Sequence, residues 1–396
     1  MSEPAGVPPL LVPEPVLDIV RTLEAAGHEA WCVGGALRDA LLGIPHADYD
    51  VATAAPPDRI RALFRRTVPV GERFGTIGVL DRAGALHEVT TFRRDVSTDG
   101  RHAIVEFGAS LEEDLARRDF TINALAYHPV RSEWRDPSGG RADLSARLVR
   151  AVGVPADRFR EDYLRILRAL RFAARLDFAI EPETWAAIRA SIDGLAGLSA
   201  ERVRMEWVKG LETARSVAVL AALWRASGAA DVWMPELREV GPDLDRRLSA
   251  EPRDPVLLTV VLCSHPGEVF ERLRGSNAEV SRSAAIAAAP AAPAGGDDAS
   301  VRRWLATVGG RADDILALHE IVHGEPAPWA GAVGLIRARG DAVDRRALAV
   351  SGDDLTAMGL RGPAVGRVLD GLLERVIDDP ALNQREALLA IARTLA

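Results

Sequence analysis

The sequence predicts an α+β protein: a mixed β-sheet within roughly the first 150 residues, then helices to the end. Three observations predict it. Short β-branched runs, bounded by Gly, Asp and Pro, recur between Glu29 and Phe107. From about Ala156 onward, Ala, Leu and Arg recur at helical spacing with few β-branched runs. A chain of 396 residues, 48% hydrophobic, can supply about two to four domains with cores.

The elements follow in order. Leu17 to Ala26 has helical apolar spacing, and Glu29 to Val33 reads as a strand ending in Gly34-Gly35, with a loop and a helix after it. Tyr49 to Val51, Thr76 to Leu80, Leu86 to Thr91 and Ile104 to Phe107 read as further strands. The stretch Ser281 to Ser300 is mostly Ala, Pro, Gly and Asp and reads as a loop or linker. No fixed-period repeat is evident, so several unequal helical subdomains are expected rather than a solenoid. The expected segments are 1–150, 151–220, 221–335 and 336–396.

Composition excludes several classes. Cys32 and Cys263 are far apart and outside any CxxC, so neither a disulfide framework nor a thiolate zinc site is expected. No run of about 20 apolar residues offers a membrane helix, and the N-terminus lacks the pattern of a signal peptide. A soluble cytoplasmic protein is expected. A formal charge of −8 confines any nucleic-acid surface to a local stripe of cations. Lys209 is the single lysine among 49 basic residues, a skew that coding bias explains more simply than RNA binding.

Asp48 and Asp50 stand two apart, and on a strand that spacing puts both carboxylates on one face, roughly 7 Å apart along the chain. Crowded anions repel, and Mg²⁺ bound between them and nucleotide phosphates relieves the repulsion. Glu88 is positioned to add a third carboxylate from a neighbouring strand. The Gly34-Gly35 turn before a helix lets backbone N–H groups approach a phosphate. The plain alternative is a turn with solvated acids.

Five motifs in order change the weight of these readings: Gly34-Gly35-Ala36-Leu37-Arg38-Asp39, Asp48-Tyr49-Asp50, Glu88-Val89-Thr90-Thr91-Phe92-Arg93, Arg117-Arg118-Asp119-Phe120-Thr121-Ile122-Asn123-Ala124 and Glu161-Asp162-Tyr163-Leu164-Arg165. Together they resemble the class II tRNA nucleotidyltransferases, a family of CCA-adding, CC-adding and A-adding enzymes and bacterial poly(A) polymerases. The resemblance is strong over about Glu29 to Glu206 and looser beyond. It implies a beta-polymerase-like nucleotidyltransferase head over 1–150, then an all-helical neck, body and tail, the tail touching tRNA.

It also implies Asp48 and Asp50 as Mg²⁺ ligands, Glu88 as a third catalytic carboxylate, and CTP, ATP and tRNA as partners. Gly34, Gly35, Arg38, Arg118, Asp119 and Asn123 match the segments that hold ribose and triphosphate. Without the flanking motifs, Arg117-Arg118-Asp119 could simply cap the start of a helix. The expected activity is CCA addition to the 3′ end of tRNA. CC-only or A-only addition and poly(A) synthesis are the alternatives, and a non-catalytic RNA-binding scaffold is the remaining one.

Asp162 and Arg165, three apart in an expected helix, project from one face and match the family's base-selecting pair. A carboxylate accepts from the exocyclic amine of cytosine or adenine, and a guanidinium donates to the adjacent ring nitrogen. Uracil and guanine invert that order. Arg168 and Arg171 continue the helix toward phosphate or a solvated face, and Glu201, Arg202 and Glu206 match a segment that braces it. The polar stretch Arg94 to His102 stands where complete CCA enzymes have a mobile loop, and Gly71 to Thr76 resembles the CCA type rather than the poly(A) type. No His-Asp pair near Val256 to His265 suggests a phosphohydrolase. Gly359 to Gly366 resembles the tail of bacterial CCA enzymes.

Overall fold

In the computed structural model, which describes residues 10–45, 48–98 and 103–395, a seven-stranded mixed sheet organises the first of two units, Met1–Pro235. Helix α1 (Glu14–Ala25) buries Val16, Ile19, Val20 and Leu23, the stripe of a one-faced helix. Strand β1 (Ala30–Val33) enters α2 (Gly35–Leu41) with only Gly34 between them. No loop intervenes, because Gly34 at φ +82° turns the chain at once.

Then come β2 (Asp50–Thr53), α3 (Pro57–Leu63), β3 (Thr67–Gly71), β4 (Thr76–Leu80), β5 (Leu86–Thr91), β6 (Arg93–Thr98), β7 (Ala103–Phe107), α4 (Leu111–Ala116), β8 (Ala126–His128) and β9 (Glu133–Arg135). The sheet order is β3-β4-β5-β2-β1-β8-β9. Only β2 and β5 run parallel. On one face Trp31, Val33, Ala52, Phe92 and Ala126 pack against Leu111 and Leu115 of α4. A capping box between Ser110 and Glu113 starts that helix.

Strands β3, β8 and β9 had no clear sequence signal. β3 is an edge strand interrupted by Pro69, and the other two are too short to display a period. The stretch expected as a loop from Arg94 is instead paired: β6 and β7 form an antiparallel ribbon in which Arg94 meets Glu106 at 2.9 Å. Opposite charges across a ladder suit a strand pair as well as a loop. Asp99 to His102 of that expected loop lie outside the described residues.

The rest of this unit comprises α5 (Gly140–Ala146), β10 (Leu148–Val149), α6 (Pro155–Glu161), α7 (Leu164–Leu176), β11 (Ala179–Ile180), α8 (Pro182–Ala190), α9 (Ala200–Thr213), α10 (Val217–Ser227) and α11 (Ala229–Trp233). It is helical except for the short parallel pair β10–β11. The single helix expected over Glu161 to Phe172 is broken. Asp162 is extended (φ −157°) between α6 and α7, and its Oδ1 accepts from the Leu164 N–H, a local bond that competes with helix continuation. Gly194 leaves room for the Tyr163 ring at this break; a methyl there would overlap it.

The second unit, Glu236–Ala396, is built from α12 (Pro242–Leu248), α13 (Pro255–Leu262), α14 (Pro266–Arg272), α15 (Asn277–Ala288), α16 (Asp298–Val308), α17 (Ala312–His323), α18 (Ala330–Arg339), α19 (Gly352–Ala357), α20 (Pro363–Asp378) and α21 (Arg385–Leu395). One core gathers Val301, Trp304, Leu305, Ile315, Val333 and Ile336, and another Leu355, Val368, Leu372, Val376 and Leu388. The expected linker Ser281 to Ser300 is overturned over most of its length. α15 runs through Ala288, started by a capping box of Ser276 and Glu279 and anchored by buried Ser283 and Ile286. Alanine is the strongest helix former, so a few buried contacts suffice. Within this two-unit frame, the finer partition at 150, 220 and 335 stands as a proposal. No helix among the described residues is long and apolar enough to cross a membrane.

Candidate active site

Sheet register assembles the carboxylates. Val33 of β1 stands opposite Asp50 of β2, and the parallel pairing of Val51 with Val89 sets Asp50 level with Glu88 of β5. Aligned residues on neighbouring strands share a face, and here both acids are exposed. Asp48 is exposed too, but β2 begins only at Asp50. The buried Tyr49 separates two exposed acids, the alternation expected of one face, although the strand itself includes only Asp50.

The two aspartates are coupled. The Asp50 carboxyl is open to a cleft yet walled by protein, and that loss of water pushes its pKa up to about 6. The charges of Glu88 and Asp48 push the same way, while Arg118 opposes them. Such crowded anions favour an added cation. Behind them, the Cys32 thiol is pushed up to about 12 by burial and by Asp50. Both cysteines are free and buried, as inert core thiols should be.

Gly34 is required on two counts. A Cβ on it would lie 3.1 Å from Nη1 of Arg118 and 3.7 Å from Oδ2 of Asp50, and its φ of +82° disfavours any side chain. Arg118 is aimed by Asp114, a buried carboxylate that accepts from Arg117 Nη2 at 2.8 Å and Arg118 Nη2 at 3.1 Å. Burial alone would raise the Asp114 pKa, but the two guanidinium groups hold it below the usual range. Among the described residues, no acceptor reaches the buried Arg118 Nε–H. Arg117 is the C-cap of α4, so the Arg-Arg-Asp run follows a helix and does not open one.

Arg38 donates from Nε to Asp39 at 2.8 Å and from Nη1 to Asn123 at 2.6 Å. Asn123 donates to Asp119 at 3.0 Å, and Asp119 accepts from Arg168 at 2.7 and 2.6 Å. Burial works against ionised Asp119, yet Arg168, Asn123 and the Phe120 N–H hold its pKa below the usual range. Phe172 underlies this cluster, with the guanidinium carbons of Arg38, Arg168 and Arg171 at 5.0, 5.4 and 4.4 Å from its ring centre.

At the break before α7, Asp162 accepts from Arg202 at 2.7 Å. Arg165 donates to Glu161 at 2.6 Å and to the carbonyls of Arg158 and Arg117, each at 3.0 Å. Arg171 is paired with Glu206 at 2.6 Å, while Glu201 is exposed. Asp162 and Arg165 thus belong to different pieces of backbone, each held by its own partner.

A cleft of about 670 Å³ brings together Gly34, Gly35, Arg38, Asp50, Glu88, Arg118, Asp119, Asn123, Asp162, Arg165, Arg168 and Arg171. Asp48 does not line it. Thr76, Thr90, Arg93, Phe172, Arg175 and Arg202 line it as well and were not selected as site residues. Arg175 had a signal: it stands seven residues after Arg168, two helical turns on, hence on the same face. Thr76 and Thr90 had none, since only strand pairing brings their hydroxyls to 3.0 Å.

Among the described residues, no three His, Cys, Asp or Glu side chains form a ready metal cage. The donor set still fits a hard divalent cation: carboxylate oxygens in a crowded anionic setting, with space in the cleft for phosphate oxygens to complete coordination.

Comparison with known proteins agrees with this geometry. Residues 30–150 match the poly A polymerase head domain family, and residues 177–240 match the family described as a probable RNA and SrmB-binding site of polymerase A. The crystal structure of Bacillus stearothermophilus CCA-adding enzyme in complex with CTP superposes with a TM-score of 0.79 at 32% identity, covering 96% of this chain and 98% of that one. The chain belongs to the CCA-adding enzyme family. Curated relatives include the CCA-adding enzymes of Lactiplantibacillus plantarum, 46% identical over 207 residues, and Geobacillus stearothermophilus, 42% over 246. These matches cover 52% and 61% of this chain and 50% and 59% of the relatives. Thermotoga maritima CCA-adding enzyme complexed with tRNA, at 20% identity and a TM-score of 0.65, shares the fold. Dependence on a divalent metal is general to this family of nucleotidyltransferases.

Proposed function

We propose that this chain adds CCA to the 3′ end of tRNA, without a nucleic-acid template, from CTP and ATP. In this reading the 3′ hydroxyl oxygen of the RNA bonds to the α-phosphorus, the α–β phosphoanhydride bond breaks, and pyrophosphate leaves. The observation that carries the reading is the convergence of Asp50, Glu88, Gly34 and Arg118 at one end of a cleft whose other lining includes Asp162 and Arg165.

Asp48 and Asp50 are the proposed Mg²⁺ ligands, with Glu88 the third carboxylate. Bound Mg²⁺ would lower the pKa of the attacking hydroxyl and neutralise the departing pyrophosphate. The chain's own groups do the rest. Gly34 and Gly35 let backbone approach the triphosphate, Arg118 and Arg38 offset its charge, and Asp119 and Asn123 take the ribose side. Asp162 accepts from the exocyclic amine of C or A, and Arg165 donates to the adjacent ring nitrogen. Presenting U or G leaves buried groups mispaired, at about 1–3 kcal/mol per contact. Arg168 and Arg171 hold the helix and add positive charge to the cleft. The helical tail is the proposed grip on tRNA, reading A-form shape and phosphate, in the cytoplasm.

Complete CCA addition is favoured over CC-only addition by the extended β6–β7 ribbon, which fills the place of the loop that partial enzymes shorten. The test is to incubate the full chain with tRNA lacking its 3′ CCA, Mg²⁺, CTP and ATP, and to sequence the products. A C, C, A ladder supports the proposal. Long A tails would establish poly(A) synthesis, a CC stop would establish partial addition, and no extension would leave an RNA-binding scaffold.

A further inference from the structure

Arg175, at the far end of α7 from Asp162, has no part in the proposed chemistry, yet it closes a circuit. Its Nη2 donates to Oδ2 of Asp39 at 2.8 Å. Asp39 is buried, and its other oxygen accepts from Arg38 at 2.8 Å. Arg38 donates to Asn123, Asn123 donates to Asp119, and Asp119 accepts from Arg168, back on α7. The path leaves α7 at one arginine and returns to it at another two turns away. Between these points it passes the helix after the glycine turn and the turn that carries Asn123.

Two attachments on one helix face fix what a single attachment leaves free. Arg165 and Arg171 hold α7 to the Arg117 carbonyl and to Glu206, but with Arg168 as its tie to the Arg38–Asp39 network its C-terminal end could still tilt away from the glycine turn. With Arg175 also tied, that tilt stretches a charge-assisted bond. Arg38, the middle of the circuit, lies under the glycine turn, 3.5 Å from where a Gly35 Cβ would stand, and over the Phe172 ring of α7. Burial lowers its pKa, and Asp39 offsets only part of that shift. Asp39 therefore has to satisfy two guanidinium groups at once, and Arg175 is the one supplied by α7.

We propose that Arg175 is a positioning residue for base selection: its bond to Asp39 sets the placement of α7 relative to the glycine turn, and so where Asp162 and Arg165 meet the incoming base. This rests on the base-selection reading given above. Because Arg175 reaches Asp162 only through the helix, its loss should blur selectivity while the reacting atoms remain in place. Networks of this kind change coupling by about two- to thirtyfold.

The experiment compares wild type, Arg175→Ala and Arg175→Lys in the full chain, measuring kcat and KM for CTP and UTP on tRNA lacking its 3′ CCA, together with Tm. In Arg175→Ala the ratio of kcat/KM for CTP over UTP should fall about fivefold, and Arg175→Lys, which can still reach Asp39, should restore part of it. If Ala unfolds the protein, Arg175→Gln replaces it. An unchanged ratio with only a lower Tm means a merely structural pair and overturns the proposal. KM raised equally for both nucleotides with the ratio intact means a phosphate contact and overturns it as well. A wild type that extends no RNA overturns the proposed function and this inference with it. A selective wild type alongside an equally selective Arg175→Ala overturns this inference alone.

Discussion

The two units use charge in opposite ways. In residues 1–235 the arginines that line one cleft are held by buried acids: Asp114, Asp119, Asp39 and Glu206 each have no more than about a tenth of the side chain exposed and each hold at least one of them. In residues 236–396 several pairs are out in solvent, as with Arg345–Asp370, Arg303–Asp378 and Arg337–Asp313, each about half exposed or more. Others are half-buried, as with Arg272–Glu236 and Arg282–Asp314, and Arg302–Asp341 is buried, 6% exposed on both sides, where Arg302 also donates to the Ile377 carbonyl. A cavity of about 320 Å³ in this unit is lined largely by apolar groups such as Val260, Ile286, Ile315 and Leu318. Buried charge needs partners whatever it does, whereas a polar cleft floored by such pairs has donors and acceptors already fixed when a charged ligand arrives. That difference supports the proposed placement of the chemistry in the first unit.

The comparison is broken most severely by removing the exposed acid at the cleft. Asp50→Asn should lower nucleotide transfer by at least about a thousandfold while circular dichroism stays unchanged; near-wild-type extension would deprive the cleft of its role. Asp119→Ala should come next. It strands Arg168 in the cleft wall and should cost about 3 kcal/mol of stability, visible as a lower midpoint in urea. Asp162→Ala should relax base choice by roughly 10- to 100-fold in the ratio of C to U incorporation, with a small change in rate for C.

Acid should sharpen the contrast. Asp114 and Asp119 have folded-state pKa values below the ordinary carboxylate value, so their contribution is complete above that range. It is lost as pH falls through the ordinary value toward the folded one. Asp354 of the second unit is lowered too, first by Arg385 and then by Ser351, but it is half-buried beside an exposed Arg385. The acid loss removed by Asp354→Asn should shrink in 0.5 M salt, about a 4 Å screening length. The loss removed by Asp114→Asn should persist; equal salt sensitivity, measured by thermal melts from pH 7 to 3, would show the two environments to be alike. The smallest effect belongs to Arg345→Ala, whose exposed pair is worth about 0–1 kcal/mol and should shift Tm by no more than about two degrees.

Much of the first unit was legible in the residue order because its motifs are local. The glycine turn and the strands Thr76–Leu80 and Leu86–Thr91 sit where periodicity and punctuation put them. What failed was conformational detail. Asp48 falls short of the strand, and Asp162 breaks its helix because its own carboxylate captures the Leu164 N–H, a competition that spacing does not reveal. Ser281 to Ala288 is helix and not linker because alanine's helix preference outweighs a composition otherwise typical of disorder. Spacing puts Arg175 on the Arg168 face but gives no hint of its partner, Asp39, 136 residues away in sequence. Long-range ion pairs leave no trace in a single chain of letters.

The most direct test is anomalous diffraction from crystals of the full chain grown with Mn²⁺ and CTP. A manganese peak within about 2.2 Å of Asp50 carboxylate oxygen, shared with Asp48 and the triphosphate, with the cytosine edge turned to Asp162 and Arg165, is the predicted result. A metal bound elsewhere, or a nucleotide seated away from these four side chains, would contradict it.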